Sequence, residues 1–401
     1  MTYPKVLIYG ISFVQGGGGV TLKNLFWGWP KDKLAICSEE TIYKNMAICK
    51  NYYGSTILAK PTYIEKLLHY FPSHRIIYKL LIHIVSINRY FKKDKLELDG
   101  KFRNFLRIYN PNLLYAIVYD SKQISILLSI HKQFGIPLVI HIVDDWISSK
   151  PKFYNRYMKY FERQLLKQLI DSSNLLLSIS DAMSEEYYTR YKRKFYPIMN
   201  AIIFSDWRDK IKDNWSLSEP IKIMYSGTVE AYNFEELVTL CNATKDMDVT
   251  IYIYGRFRKE EYRKILEEQP NCQIQGYVSH SEIINLYKQF DLLFLPFSFK
   301  EKYKKNLLLS MPTKLPEYMV SKTPIMVYAP SYFPVSKYAI EAGWGYLVNH
   351  QGLNEIKKGL ESLLSSYDLR KKLGENAYSV AYKNHNQLVN QERLVNLMNN
   401  L

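Results

Sequence analysis

Ser310-Met311-Pro312-Thr313-Lys314-Leu315-Pro316-Glu317-Tyr318-Met319, continuing as Val320-Ser321-Lys322-Thr323-Pro324-Ile325-Met326-Val327-Tyr328, is the stretch that decides the fold. It reads as a helix start followed by a buried strand. Ser310 or Thr313 can cap the helix, Pro312 and Pro316 suit a first turn, and Ile325 to Tyr328 is an apolar, strand-like run. The N–H groups and positive dipole end of such a helix attract an anion such as phosphate. Glu317 stands one turn inside, where a carboxylate can accept both hydrogen bonds of a ribose diol. Together the two features suit a nucleotide, while a capped amphipathic helix with a solvated Glu is the alternative.

Strand and helix alternate on either side of this stretch. Strands are expected at Val6–Tyr9, Leu34–Ser38, Leu113–Val118, Leu138–Val143, Leu175–Ser178, Ile221–Ser226, Val249–Tyr254, Gln273–Gln275, Leu292–Leu295 and Ile325–Tyr328. Most are continuous apolar runs, the pattern of strands buried on both faces, so the sheets should be parallel and covered by helices. Helical stretches lie between them at Tyr154–Leu169, Phe234–Asn242, Lys259–Gln269, Ser281–Gln289 and Leu353–Ser365. The polar segment Ala201–Pro220 interrupts the alternation, which restarts at Ile221. The reading is an α/β chain of two tandem Rossmann-like domains with a cleft between them. Residues 1–205 form the first, 206–381 the second, and a last helix at about 382–401 packs back on the first.

The chain has 401 residues and a net charge of +16. Residues 1–205 hold 29 Lys/Arg against 15 Asp/Glu, so nearly all of the excess lies in the first half. That asymmetry indicates an anionic partner for the first domain. Cys37, Cys49, Cys241 and Cys272 form no C-x-x-C pair, and no His or Cys cluster has zinc spacing, which argues for a reduced compartment and no metal site. Val6-Leu7-Ile8-Tyr9 reads as a strand rather than a signal peptide, and the apolar run Ile76–Ile87 is too short and too polar to span a bilayer. No nucleic-acid module is recognisable.

Ligands of open parallel sheets sit beyond the carboxyl ends of the strands, so the residues there are the site candidates. Gly16-Gly17-Gly18-Gly19 follows the first strand and can let backbone approach a ligand. It matches neither a Walker A loop nor G-x-G-x-x-G with its distant acid. His141-Ile142-Val143-Asp144-Asp145-Trp146 closes another strand. One of the two carboxylates can position or deprotonate an acceptor hydroxyl, while the other can cap a helix. His141 is either their partner or a core imidazole. In the second half Gly227 and Thr228, Arg256 and Arg258, and Gly276 stand at strand ends. Arg256 and Lys314 are the candidate diphosphate cations.

Taken in order, these segments resemble the GT-B glycosyltransferases of group 1, or family four. The resemblance runs through the Gly-rich start, Asp144-Asp145-Trp146, Leu177-Ser178-Ile179-Ser180-Asp181, Tyr225-Ser226-Gly227-Thr228, Gly276-Tyr277-Val278, Leu295-Pro296 and Pro312-Thr313-Lys314-Leu315-Pro316-Glu317-Tyr318. It implies sugar transfer from a nucleotide diphosphate sugar to an acceptor hydroxyl, usually retaining and without a bound metal or other cofactor. The donor would lie on the second domain, against Thr313, Lys314, Leu315, Glu317, Arg256, Gly227 and Thr228, with Gly17, Gly18 and Gly19 reaching it from the first. Asp144, Asp145 and His141 form the expected catalytic set.

Two departures stand out. The family usually places a second Glu eight residues before Glu317, where this chain has Leu309. It also carries an Arg and a Lys in the segment that here reads Thr228-Val229-Glu230-Ala231-Tyr232-Asn233. Donor base, sugar, acceptor and stereochemistry therefore stay open, and a sugar-nucleotide epimerase or a non-catalytic nucleotide-sugar binder remain alternatives. The expected setting is bacterial surface polysaccharide or glycolipid assembly, with a glycan or lipid-linked acceptor. Lys60–Tyr109, with eleven Lys/Arg against four Asp/Glu, alternates apolar and basic residues and runs through Lys92, Lys93 and Lys95. A basic amphipathic segment of this kind suits an anionic membrane surface, placing the protein in the cytoplasm on the inner face of the membrane.

Overall fold

In the computed structural model, the structure describes residues 2–10, 16–38, 48–54, 66, 67, 70, 74–91, 95–148 and 156–401. Lys60, Lys92 and Lys93, and the expected helix start at Tyr154, lie outside them. The chain forms two compact units, residues 1–199 with 390–401, and residues 200–389.

The first unit holds a seven-stranded parallel sheet. Its strands are β1 (Val6–Tyr9), β2 (Leu34–Ser38), β3 (Asn51–Gly54), β4 (Leu113–Ile117), β5 (Leu138–Ile142), β6 (Leu175–Ser178) and β7 (Tyr196–Pro197), in the order β3-β2-β1-β4-β5-β6-β7. The helices of this unit are α1 (Gly16–Phe26), α2 (Arg75–Phe91), α3 (Gly100–Tyr109), α4 (Ser121–Phe134), α5 (Arg156–Ser172) and α6 (Asp181–Tyr191). β1, β2, β4, β5 and β6 are buried at every position, as the unbroken apolar runs require. β3 is a half-exposed edge strand and β7 has only two residues.

The second unit repeats the topology with six parallel strands in the order β10-β9-β8-β11-β12-β13. They are β8 (Ile221–Ser226), β9 (Val249–Tyr254), β10 (Cys272–Gly276), β11 (Leu292–Pro296), β12 (Ile325–Tyr328) and β13 (Tyr346–Val348). Its helices are α7 (Phe234–Thr244), α8 (Glu260–Glu267), α9 (His280–Leu286), α10 (Glu301–Leu307), α11 (Leu315–Val320), α12 (Pro334–Ala342), α13 (Leu353–Ser365) and α14 (Tyr367–His385). In both sheets the order reverses direction once, between β1 and β4 and between β8 and β11. A doubly wound sheet opens a crevice at that switch point.

The last helix, α15 (Gln387–Asn399), returns to the first unit. Leu394, Val395 and Met398 join Leu25, Phe26 and Ile8 in its core. Gln391 fixes the seat by donating to the carbonyls of Leu25 and Trp27 at 3.1 and 3.0 Å, while Tyr3 donates to its Oε1 at 3.1 Å.

Candidate functional site

The second unit gathers its polar side chains at the β8/β11 switch point. Glu317 is in the first turn of α11 and is only 6% exposed. Tyr287 donates to its Oε2 at 3.0 Å, and His280, the first residue of α9, has Nδ1 3.4 Å from Oε1. Tyr287 shares a 2.9 Å hydrogen bond with Ser226 Oγ, which accepts from Lys314 Nζ at 3.3 Å. Tyr287 has one proton and spends it on Glu317, so the Ser226 hydroxyl must donate to Tyr287. The result is a directed chain from Lys314 through Ser226 and Tyr287 to Glu317. Burial, and then the charges of Glu317 and Tyr318, push the Tyr287 hydroxyl well above its ordinary range, so it remains a donor. Burial pushes the Lys314 ammonium down, against the pull of Glu317. Trp207 stacks on Tyr287, rings 5.9 Å apart, and the Tyr318 hydroxyl accepts from Ser226 N at 2.7 Å. The carboxylate is thus held in one orientation by packed aromatic groups.

Lys314 itself is the N-cap of α11, with no side-chain cap. The expected capping by Ser310 or Thr313 is therefore corrected. The helix starts at Leu315, Pro316 takes the second position, where its missing N–H costs nothing, and the Leu315 N–H closes a turn onto Pro312. The Leu315 side chain is wholly buried in the core, whereas Thr313 is exposed. The positive charge at this helix start is that of Lys314, since Pro316 has no N–H and that of Leu315 is taken.

Gly227 is glycine for a backbone reason. It has φ +156°, its N–H donates to Tyr254 O at 2.8 Å, and a Cβ on Gly255 would meet its carbonyl oxygen at 1.9 Å. Gly255 N in turn donates to Gly276 O at 2.7 Å, so the carboxyl ends of β8, β9 and β10 are laced side by side. Thr228 is exposed, and its carbonyl accepts from Tyr225 at 2.9 Å and Asn233 at 3.2 Å. Arg256 lies 4.6 Å over the ring of Tyr277, which is 66% exposed. Three residues on is His280, the Glu317 partner. Leu309, where the resemblance leads one to expect a second Glu, is buried.

In the first unit the three expected catalytic residues part company. His141 is fully buried inside β5, where Nδ1 shares a 2.7 Å hydrogen bond with Tyr115. Burial pushes its imidazole down to about 4, so it is neutral and exchanges no proton with solvent from that position. Asp145 is claimed by α6: Arg190 Nη1 lies 2.7 Å from Oδ2, and Tyr187 donates to Oδ1 at 3.4 Å. The residues after it form a turn, so Asp145 is an ion-pair partner rather than the helix cap considered for it. Asp144 keeps exposed surface, yet lost hydration around its carboxyl and then the Asp145 charge push it up to about 6. Of the set, Asp144 is the group tuned near neutral pH, where a general base works best. Gly17, Gly18 and Gly19 are not the loop expected of them. They lie in the first turn of α1, where glycine leaves the helix end bare of side chains. The residue with the constrained backbone at β1 is Gly10, φ +107°, whose Cβ would meet Gln123 Nε2 at 2.4 Å.

Ser226, Tyr287, His280 and Arg190 escape sequence reasoning. Ser226 ends a strand, His280 and Tyr287 open short helices and Arg190 lies in the last turn of α6, while the partners that place them are 30 to 92 residues away. Among the described residues no group of His, Cys, Asp and Glu can hold a metal ion, and no helix is long and apolar enough to cross a membrane.

Residues 205–380 match the family model for glycosyl transferases group 1. No curated protein sequence matches the chain. Among solved structures it is similar to Anabaena HepE in complex with UDP-glucose, with 14% identity, a TM-score of 0.67 and 100% of both chains covered. It is also similar to sucrose-phosphate synthase of Thermosynechococcus elongatus, with 13% identity, a TM-score of 0.66 and 98% of each chain covered. A glycosyltransferase of Rickettsia africae shares 12% identity at a TM-score of 0.63, covering 99% of this chain and 98% of its own. These likenesses show the fold; the family match supplies the class of chemistry. Residues 205–380 thus carry the match to the glycosyl transferases group 1, and the chain is a glycosyltransferase built on the GT-B fold.

Proposed function

We propose that the protein transfers a sugar from a nucleoside diphosphate sugar to an acceptor hydroxyl on a glycan or lipid carrier. The observation that carries this reading is the Lys314–Ser226–Tyr287–Glu317 chain at the switch point of the second unit. Glu317 offers a buried, oriented carboxylate to the ribose diol, and Lys314 and Arg256 bring positive charge for the diphosphate. Leaving-group charge falls on these side chains, without a call on a metal ion. UDP-sugars are the donors to test first, because HepE, of the same fold, is solved with UDP-glucose. Transfer is with retention, as in most of the group, although Leu309 removes the usual second carboxylate. Asp144 is the residue we assign to the acceptor hydroxyl. Placement at the inner face of a bacterial membrane, in polysaccharide or glycolipid assembly, fits a first unit that holds nearly all of the +16 charge.

Incubation with a panel of UDP-, GDP-, ADP- and CMP-sugars, with and without lipid-linked or oligosaccharide acceptors, tests the reading. Acceptor-dependent release of the nucleoside diphosphate is expected. Conversion of the donor to its epimer without any acceptor overturns it in favour of an epimerase, and donor binding with no turnover points to a non-catalytic binder.

A further inference from the structure

Helix α2 carries a row of apolar side chains that the fold leaves in solvent. Ile77, Leu80, Ile84, Ile87 and Phe91 follow one another at steps of three or four residues, so they share one face. All are exposed, Leu80 by 61% and Phe91 by 69%. Leu81 and Val85 are buried and mark the side that packs on the unit, against α4 and α5. The row continues onto α5. Tyr90 of α2 meets Phe161 of α5 with ring centroids 5.4 Å apart, and Tyr160 stacks edge-on to Phe161. Tyr157 and Tyr160 are more than half exposed. Beside them stand the exposed cations Arg156, 5.2 Å over the Tyr157 ring, and Arg163.

Charge selects the occupant of this face. Helix α2 contains Arg75, Lys79 and Arg89 and no Asp or Glu. The unit that bears it holds almost the whole positive excess of the chain. A second copy related by a two-fold axis would set this cationic helix against itself. Nucleic acid would meet the cations but would leave five aliphatic and aromatic side chains without a partner. An acidic bilayer surface satisfies both features. The apolar row enters the acyl boundary, tyrosines sit at headgroup level, and arginines meet lipid phosphates. We infer that the exposed face of α2, extended by Tyr157, Tyr160, Arg156 and Arg163 of α5, is the seat on which the first unit rests on an anionic membrane. This deepens, and rests on, the reading of the acceptor side as membrane-facing.

Co-sedimentation of the full chain with vesicles tests the seat, comparing phosphatidylcholine alone with phosphatidylcholine plus phosphatidylglycerol. Binding is expected only with the acidic lipid, and salt should weaken it. Arg156→Gln combined with Arg163→Gln should weaken it about 30-fold, from about 1 kcal/mol per cation. Leu80→Asp with Phe91→Asp should abolish it, and the exposed control Lys371→Gln with Lys372→Gln should change nothing. Circular dichroism and nucleotide binding, both expected unchanged, separate loss of the seat from loss of the fold. Wild-type protein left in the supernatant at low salt, or undiminished binding by the Leu80/Phe91 variant, overturns the inference. So does a dimer in sedimentation velocity that the same variant dissolves, because the face is then a contact between copies. Donor binding and turnover on a soluble acceptor are scored separately, so failure here leaves the transferase reading standing, and failure there leaves the seat.

Discussion

Tyr287 gives its only hydroxyl proton to Glu317 across 3.0 Å, from an element 30 residues earlier in the chain. The carboxylate that we assign to the donor ribose is therefore oriented by the fold itself. Glu317→Ala should weaken binding of a nucleoside diphosphate by about 1.5–3 kcal/mol, the range for charged hydrogen bonds. Tyr287→Phe keeps the charge and loses the tether, so about 0.5–1.5 kcal/mol is expected. Isothermal titration measures both, and equal affinity of Glu317→Ala and wild type removes the ribose assignment.

Lys314 stands at the other end of the same chain, 3.3 Å from Ser226 Oγ. Lys314→Met should reduce affinity for UDP by about 10- to 150-fold while leaving uridine almost unaffected, since a charged hydrogen bond to phosphate is worth about 1.5–3 kcal/mol. If uridine and UDP lose affinity equally, Lys314 supports the site's structure rather than the diphosphate.

Asp144 and Asp145 should respond in opposite directions to the same substitution. Asp144 is raised from 3.8 to about 6, so the folded state holds its proton more tightly than the unfolded chain. The stability this contributes is full below pH 3.8 and is lost as pH rises through 6. At pH 7.5 Asp144→Asn should therefore stabilise the fold by about 1 kcal/mol, after allowance for solvent screening of a part-exposed group, and so raise the melting temperature. Turnover should nonetheless fall about 10²- to 10⁴-fold if Asp144 is the base. Asp145→Asn breaks the pair with Arg190 and should cost about 2 kcal/mol of stability. Melting curves from pH 4 to 8 with parallel turnover assays decide it, and wild-type turnover by Asp144→Asn would remove its catalytic role.

Gly255→Ala should destabilise the second unit by at least about 2 kcal/mol. Its φ of +150° disfavours any side chain, and the new methyl would meet Gly227 O at 1.9 Å, where backbone cannot move aside. Gly276→Ala, with φ +73° and nothing near its Cβ, should cost less. Thermal unfolding of the two variants side by side gives the comparison, and similar melting points would show that the Gly227 contact relaxes freely.

The sheets were legible in the sequence because parallel strands bury both faces. β2, β6, β8, β9 and β12 lie within the same residues that the apolar runs mark. β3, β7 and β13 were not, because edge strands are short or half-exposed and lack that run. Glu317 could be read from its place behind Pro316. Tyr287, Ser226 and His280 could not, since nothing local distinguishes a tyrosine that will meet a carboxylate 30 residues away from one that fills a core. The glycine run misled for a related reason. Four glycines in a row have no helical signal, yet α1 begins among them because a first turn asks little of its side chains.

The return of α15 gives the molecule an order of assembly. The first unit draws its core from residues at both ends of the chain, with Leu394, Val395 and Met398 against Leu25 and Phe26. On the ribosome those partners emerge only after the whole of residues 200–389. The second unit is contiguous and can close while synthesis continues, whereas the first must hold its apolar seam open until the final turns of α15 arrive. Nascent chains arrested before residue 390 should therefore show the second unit resistant to protease and the first still cleaved.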